Sequence, residues 1–387
     1  MNELPNNKSI RIALMTDGIW PYVIGGMQKH SYFLVKNFLK NGIYVDLYHC
    51  NESHYDISKL EFFTDEEKKY LNSFVFKFPK YKKYPGHYFK ESYDYSSTLF
   101  EYYIKQPPVN YIYTKGYCGW RFMKAKKQGV ILPPIALRLH GYEILQKTNS
   151  IKNKIRNIIY MPLVNYLNQQ ADYIYSYGGQ LTQLTQAAFQ IPSSKIIEIS
   201  TGIGQSWLND TITVQTQRTF CFVGRYDVRK GIVELHEALS KMINKNDFKF
   251  HFIGEIPDQL KIKHASLIYH GVLKSEEAIK AILRESDFLV APSHSEGMPN
   301  VIVEAMASGC GVVTTDVGAI SVLVSTNEGV FIPAFSSEAI KLVLEKLIQL
   351  PAEKILKYKY NAINKVKHNF LWEKIIQKEI QEIQSRI

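Results

Sequence analysis

No stretch of the sequence stays apolar for roughly 18 residues, the length a helix needs to cross a bilayer, so no membrane span is expected. Residues 1–9 are polar and hold no apolar core of the kind a secretory leader requires, which points to a cytoplasmic protein. Cysteine is scarce. Cys50, Cys118, Cys221 and Cys310 stand far apart with no Cys-x-x-Cys pair, which favours buried reduced thiols over zinc ligands or disulfides. No Asp-x-Asp pair offers a seat for a divalent cation, so neither a metal nor a cofactor is expected. No Gly-x-Gly-x-x-Gly follows the first strand, so the dinucleotide fingerprint is missing. Internal repeats and low-complexity tracts are absent. No nucleic-acid-binding module is recognisable, and nucleic acid is not expected as a partner.

Negative charge is the scarcer sign: 36 acidic residues against 47 Lys and Arg give a net charge of +11. Much of the excess precedes residue 160. Lys77, Lys80, Lys82 and Lys83 alternate with Phe78, Tyr81 and Tyr84. Lys115, Arg121, Lys124, Lys126 and Lys127 interleave with Tyr117, Trp120, Phe122 and Met123, and Lys147, Lys152, Lys154 and Arg156 form a third group. Such mixtures suit either the interface of an anionic membrane or a solvated basic face.

What is present reads as α/β. The 387 residues suit two domains of about 200 residues or less. Residues 10–15 form a first apolar run, a Gly25-Gly26 loop and a helical pattern over 30–40 follow, and 44–48 reads as the next strand. Further strand runs are 74–78, 111–113, 135–138, 173–175 and 196–199. A second series opens at 219–224 and continues at 249–253, 267–270, 288–291 and 312–314, with helices over 231–243, 275–285 and 299–308. Small and polar residues gather between 202 and 217. The division expected is 1–203, 204–369 and a terminal helix, 370–387, whose stripe is Leu371, Ile375, Ile376, Ile380 and Ile383.

The stretch Ser293-His-Ser-Glu296-Gly297-Met298-Pro299-Asn300-Val301-Ile-Val-Glu304-Ala-Met-Ala-Ser-Gly309 is the most informative. Pro299 and Asn300 start a helix and Gly309 ends it. Glu296 precedes that helix, and Glu304 follows about two turns later. A helix N-terminus holds phosphate through free N–H groups and the dipole, and flanking carboxylates accept hydrogen bonds from sugar hydroxyls. A sugar nucleotide has that layout. Gly224-Arg225 to Lys230-Gly231, between a strand and a helix, suits a diphosphate, with a bidentate guanidinium and a mobile ammonium. Gly25 and Gly26 let backbone approach a ligand closely. Asp17, just ahead, either binds acceptor hydroxyls or caps its loop. His140 follows a strand of the first half, where open α/β sheets present their crevice.

The motif Glu296-Gly297 to Glu304-Ala-Met-Ala-Ser-Gly309 resembles family 4 glycosyltransferases of the GT-B fold. That resemblance implies two Rossmann-like domains facing a cleft, with a C-terminal helix crossing back to the first. It implies a retaining transfer from a UDP- or GDP-sugar. The missing Asp-x-Asp pair, with Lys, Arg and the helix dipole to take a metal's role, predicts metal-independent transfer. The aromatic and basic residues of the first half suit a glycan or lipid-linked acceptor, in cell-surface polysaccharide or lipopolysaccharide synthesis. By the same resemblance Glu304 holds the ribose and Glu296 the donor sugar, with Gly297, Met298, Pro299, Asn300 and Val301 supplying backbone to sugar and phosphate. Arg225 and Lys230 stabilise the leaving diphosphate, beside Gly224. Gly25 and Gly26 face it across the cleft, Val272 borders the base, and His140 lies near the reacting sugar. Thr201 and Gly204 stand where the family has Asn and Asp, which leaves those side chains without a role. A phosphorylase, a sugar-nucleotide epimerase and a non-catalytic glycan- or nucleotide-binding protein remain open alternatives, as does contact with an anionic inner membrane.

Overall fold

The computed structural model describes residues 10–387 except 24, 51–60, 85, 147–150 and 244–246. Residues 1–9, Lys147 and the side chain of Lys152, all used in the sequence analysis, lie outside the described residues.

The first half alternates strand and helix: β1 (Arg11–Met15), α1 (Gly26–Lys40), β2 (Tyr44–Cys50), α2 (Asp65–Lys68), β3 (Leu71–Phe76), α3 (His87–Tyr103), β4 (Tyr111–Lys115), α4 (Trp120–Lys127), β5 (Ile135–Arg138), α5 (Ile151–Gln170), β6 (Tyr173–Ser176), α6 (Gly179–Phe189) and β7 (Ile196–Glu198). Its seven strands pair in parallel in the order β3-β2-β1-β4-β5-β6-β7. The central strands are buried on both faces, which is why they read as unbroken apolar runs.

The second half holds β8 (Arg218–Val223), α7 (Ile232–Met242), β9 (Phe248–Ile253), β10 (Leu267–Tyr269), α8 (Glu276–Glu285), β11 (Phe288–Ala291), α9 (Asn300–Ala307), β12 (Gly311–Thr315), α10 (Ile320–Leu323), β13 (Gly329–Ile332), α11 (Ser337–Ile348), α12 (Ala352–Asn369) and α13 (Trp372–Gln384). Its six strands are also parallel, in the order β10-β9-β8-β11-β12-β13. The strand order reverses between β1 and β4 in one sheet and between β8 and β11 in the other. Loops at the carboxyl ends of these strands border the crevices that such reversals create. Two Rossmann-like parallel-sheet domains in this arrangement make the GT-B fold.

One strand shifts from its expected position. The run at 74–78 is β3, but it starts at Leu71, because Val45 through Cys50 of β2 pair residue by residue with Leu71 through Phe76. Phe78 lies beyond it.

α13 lies against α1 of the first domain. Ile375, Ile376, Ile380 and Ile383 are buried there, and Trp372 joins the same core. The two crossings between the halves run side by side: Ile203 N donates to Phe370 O at 2.8 Å and Trp372 N to Ile203 O at 3.0 Å. A side chain on Gly202 would meet the Trp372 indole at 2.5 Å, so glycine is required here by packing. Glu379 reaches from α13 under the first sheet, 3.6 Å from Arg138, with both side chains buried.

Candidate active site

The loop after β11 enters α9 through Pro299, held extended at φ −74°. Gly309, at φ +92°, takes the left-handed conformation that ends the helix beyond Ser308. Glu296 lies just ahead of α9. Its Oε1 accepts from Lys230 Nζ at 2.6 Å and from Ser293 Oγ at 2.7 Å. Lys230 arrives from the turn after β8, where the Asp227 side chain accepts from Arg229 N at 2.9 Å. Gly231, at φ +68°, then turns the chain into α7. A Cβ there would lie 2.0 Å from the Pro292 carbonyl, so the two loops touch. The sequence reading gave Lys230 and Glu296 separate partners, whereas the structure pairs them.

The remaining second-domain residues divide. Arg225 is 75% exposed, and its described ion pair is with Asp227 at 3.8 Å, apart from the Lys230–Glu296 pair. Gly224 and Val272 follow β8 and β10, and Val272 is exposed. Met298 Sδ accepts from Thr201 N at 3.1 Å, and Thr201 Oγ1 donates to Asn300 Oδ1 at 3.1 Å. Thr201, left without a role by its departure from the family pattern, therefore ties the crossing segment to the start of α9. Gly297 and Val301 lie either side of Pro299, with Gly297 against the first domain.

The first domain meets this site closely. Glu304 Oε1 accepts from Lys29 Nζ at 3.3 Å, one turn after the Gly25-Gly26 opening of α1. A Cβ on Gly26 would meet nothing within 4 Å, whereas one on Gly25 would strike the flexible Gln28 side chain. Gln146 clamps the far side. Its Nε2 donates to Gly141 O at 2.5 Å and Glu296 O at 2.6 Å, and its Oε1 accepts from Glu296 N at 2.8 Å. A Cβ on Gly297 would lie 2.8 Å from Gly141 Cα, so the two backbones are in direct contact. The cleft is closed in this structure.

His140 follows β5, with Nδ1 2.7 Å from the Tyr177 hydroxyl. Its Nε2 is buried with no hydrogen-bond partner among the described residues. Burial, then Lys115 and Arg138, hold the imidazole well below its ordinary pKa, so it is neutral. Lys115 ends β4, 2.8 Å from both His30 Nδ1 and Ser31 Oγ, and burial also depresses its pKa strongly. Asp17 accepts from Gln28 Nε2 at 3.1 Å, while burial raises its pKa. Asp17, Lys115 and His140 line one cavity of about 360 Å³, walled by Tyr88, Tyr95 and Tyr160. Asp17 thus both braces its loop and faces a cavity.

Sequence reasoning passed over Lys29, Gln146, Ser293 and Tyr177. Lys29 left a trace: a cation in the first turn of a helix opposes the dipole unless an anion lies beyond it. Gln146 left none. No cluster of three or more His, Cys, Asp or Glu among the described residues is placed to hold a metal ion.

Comparison with known proteins bears on this geometry. The model of the family Glycosyl transferases group 1 matches residues 217–349. TuaC of Bacillus subtilis (strain 168), named for teichuronic acid biosynthesis, is 32% identical over 147 residues, 38% of this chain and 34% of its own. The match therefore spans about a third of that relative. The uncharacterized glycosyltransferase MJ1178 of Methanocaldococcus jannaschii is 26% identical over 321 residues, 81% of each chain. HepE of Anabaena, solved with UDP and glucose, superposes with a TM-score of 0.69 at 17% identity, covering 98% of this chain and 100% of its own. The match to the group 1 glycosyltransferases falls on the half that carries Lys230, Glu296 and Glu304, and the GT-B fold is shared with HepE from end to end.

Proposed function

We infer that the protein is a retaining glycosyltransferase that moves a hexose from a UDP- or GDP-sugar to a glycan or lipid-linked acceptor in cell-surface polysaccharide or lipopolysaccharide synthesis. One observation carries the reading. Glu296 and Glu304 bracket the N-terminal turn of α9, Lys230 sits on Glu296 at 2.6 Å, and the closed first domain covers them. A diphosphate at the α9 N-terminus meets unpaired backbone N–H groups and the positive end of the helix dipole. Glu304 takes the ribose hydroxyls and Glu296 the sugar hydroxyls. Lys230, with Arg225 swinging in from solvent, neutralises the charge that builds on the departing nucleoside diphosphate. These cations supply the charge a metal would otherwise bring, so transfer proceeds without one.

The acceptor hydroxyl attacks the anomeric carbon on the face from which the diphosphate leaves. The carbon–oxygen bond to phosphate breaks as the new glycosidic bond forms, and the acceptor proton passes to the leaving phosphate oxygen. Neutral His140 offers Nε2 to a sugar hydroxyl rather than a positive charge. Domain closure keeps water from the donor. The polysaccharide setting draws support from the name of TuaC, and the nucleotide class from the ligands of HepE.

Thermal-shift measurements with UDP, GDP and their sugar conjugates select the donor, since a bound ligand raises apparent stability. Radiolabelled donor then reports transfer to added acceptor, and NMR of the product reads the anomeric configuration. Nucleotide binding without transfer to any acceptor removes the enzyme assignment, and an inverted product removes the retaining one.

A further inference from the structure

α5 differs along its length. Its second half buries Leu163, Val164 and Leu167 in the first-domain core. Its first half turns isoleucine outward: Ile151 is 74% exposed, Ile155 55%, Ile158 73% and Ile159 50%. At the helical repeat these four fall on one stripe about 100° wide. Lys154 and Arg156, both exposed, fall on opposite margins of it. No described residue covers the stripe.

A second surface adjoins it. The segment 77–84 exposes Tyr81, Tyr84, Lys82 and Lys83. It leads into α3, where Tyr88 and Phe89 pack on Tyr160 of α5 with ring centroids 6.4 and 4.5 Å apart. The cavity of about 360 Å³ opens between the two surfaces, with Tyr88, Arg156 and Tyr160 in its wall and Asp17 and His140 deeper in. The second basic group of the sequence is engaged elsewhere. Lys126 pairs with Asp172 at 2.5 Å, Lys124 lies over Tyr93, and Lys127 lies over Tyr166.

We propose that the first half of α5 and the segment 77–84 seat the protein on a bilayer bearing anionic headgroups, and that the cavity takes the polar head of a lipid-linked acceptor from that surface. An apolar stripe with cations on both margins and tyrosines beside it matches the layered chemistry of a bilayer interface. A second copy fits less well, because it would set the same cations against each other. The acceptor clause rests on the glycosyltransferase reading, whereas the docking clause stands without it.

The test is co-sedimentation of the full chain with phosphatidylcholine vesicles, with and without roughly 30% phosphatidylglycerol. Wild type is expected to bind the anionic vesicles, and added salt to weaken binding. Ile155→Asp with Ile158→Asp should lower partitioning at least about tenfold while thermal unfolding and nucleotide affinity stay unchanged. Lys82→Glu with Lys83→Glu, outside any helix, should weaken binding to anionic vesicles without affecting folding. Equal partitioning of both variants and wild type overturns the proposal. So does a dimer that the isoleucine variant dissociates in a protein that ignores vesicles. Vesicle binding that needs the isoleucines, in a protein that binds no nucleotide sugar, upholds the docking and discards only the transferase.

Discussion

Lys230 and Glu296 lie 2.6 Å apart, where a leaving diphosphate and a transferred sugar would meet, so each sets the position of the other. Glu296→Gln keeps the shape but gives up the charge that holds Lys230. It is expected to lower kcat by roughly 10²-fold, a loss typical of one charge-stabilising group, while the nucleotide Kd changes little. Glu304→Ala should do the reverse, raising the nucleotide Kd about tenfold with a smaller effect on kcat. Titration calorimetry and single-turnover kinetics separate the two, and a common effect on both constants contradicts the division of labour. At this scale the two glutamates, Pro299 and Gly309 were legible because a strand, a loop and a capped helix punctuate the sequence around them. Gln146 and Lys29 were not, because their importance depends on where the other domain lies.

Elements with a one-sided pattern were legible, and elements without one were not. The isoleucine stripe of α13 is buried, and the apolar runs became strands. α3 escaped because Glu91, Ser92 and Ser96 take part in its buried face, and α5 because its four isoleucines face outward. α13 also carries Glu379, whose partner Arg138 is fully buried. Glu379→Ala leaves that guanidinium uncompensated and should cost about 3–5 kcal/mol, read as a lower denaturant midpoint. An unchanged midpoint means the pair is dispensable. Strands β2 and β9 bury His49 and His251, and burial lowers each pKa to about 4; His30 and His140 are also held well below the ordinary value. Above about pH 6.5 these rings are neutral in both states, so their contribution is fully present. As pH falls from there toward 4, the unfolded chain takes up protons that the folded one refuses. Each ring then removes up to about 1.4 kcal/mol per pH unit. Asp17 and Glu379, with raised pKa values, act in the opposite sense near their own titration, so the decline should be clearest in the upper part of the window. A Tm that holds constant or rises from about pH 6.5 to 5 contradicts buried neutral histidines.

The whole molecule works through the distance between its two sheets. Two parallel-sheet domains could be read from the sequence because each strand run recurs at the spacing a crossover helix requires. Their closed arrangement could not, because it rests on contacts as small as a glycine against a glycine. Gly297 and Gly141 touch backbone to backbone, and a Cβ on Gly297 would sit 2.8 Å from Gly141 Cα and 3.1 Å from its nitrogen. Carbon atoms rest at about 3.5–4.0 Å, so Gly297→Ala must prop the domains apart by roughly 1 Å. Neither neighbour is a flexible side-chain end that can swing aside. Misplacement on that scale at a reacting centre costs about 10²-fold in rate. The proposed function draws its nucleotide contacts mainly from the second domain, so on that reading the nucleotide Kd should rise only slightly while kcat falls by about that factor. Small-angle scattering of the donor-bound variant should give a larger radius of gyration than wild type. If kcat is unchanged, transfer does not need the domains this close, and the Gln146 clamp on Glu296 would have to be explained by stability alone.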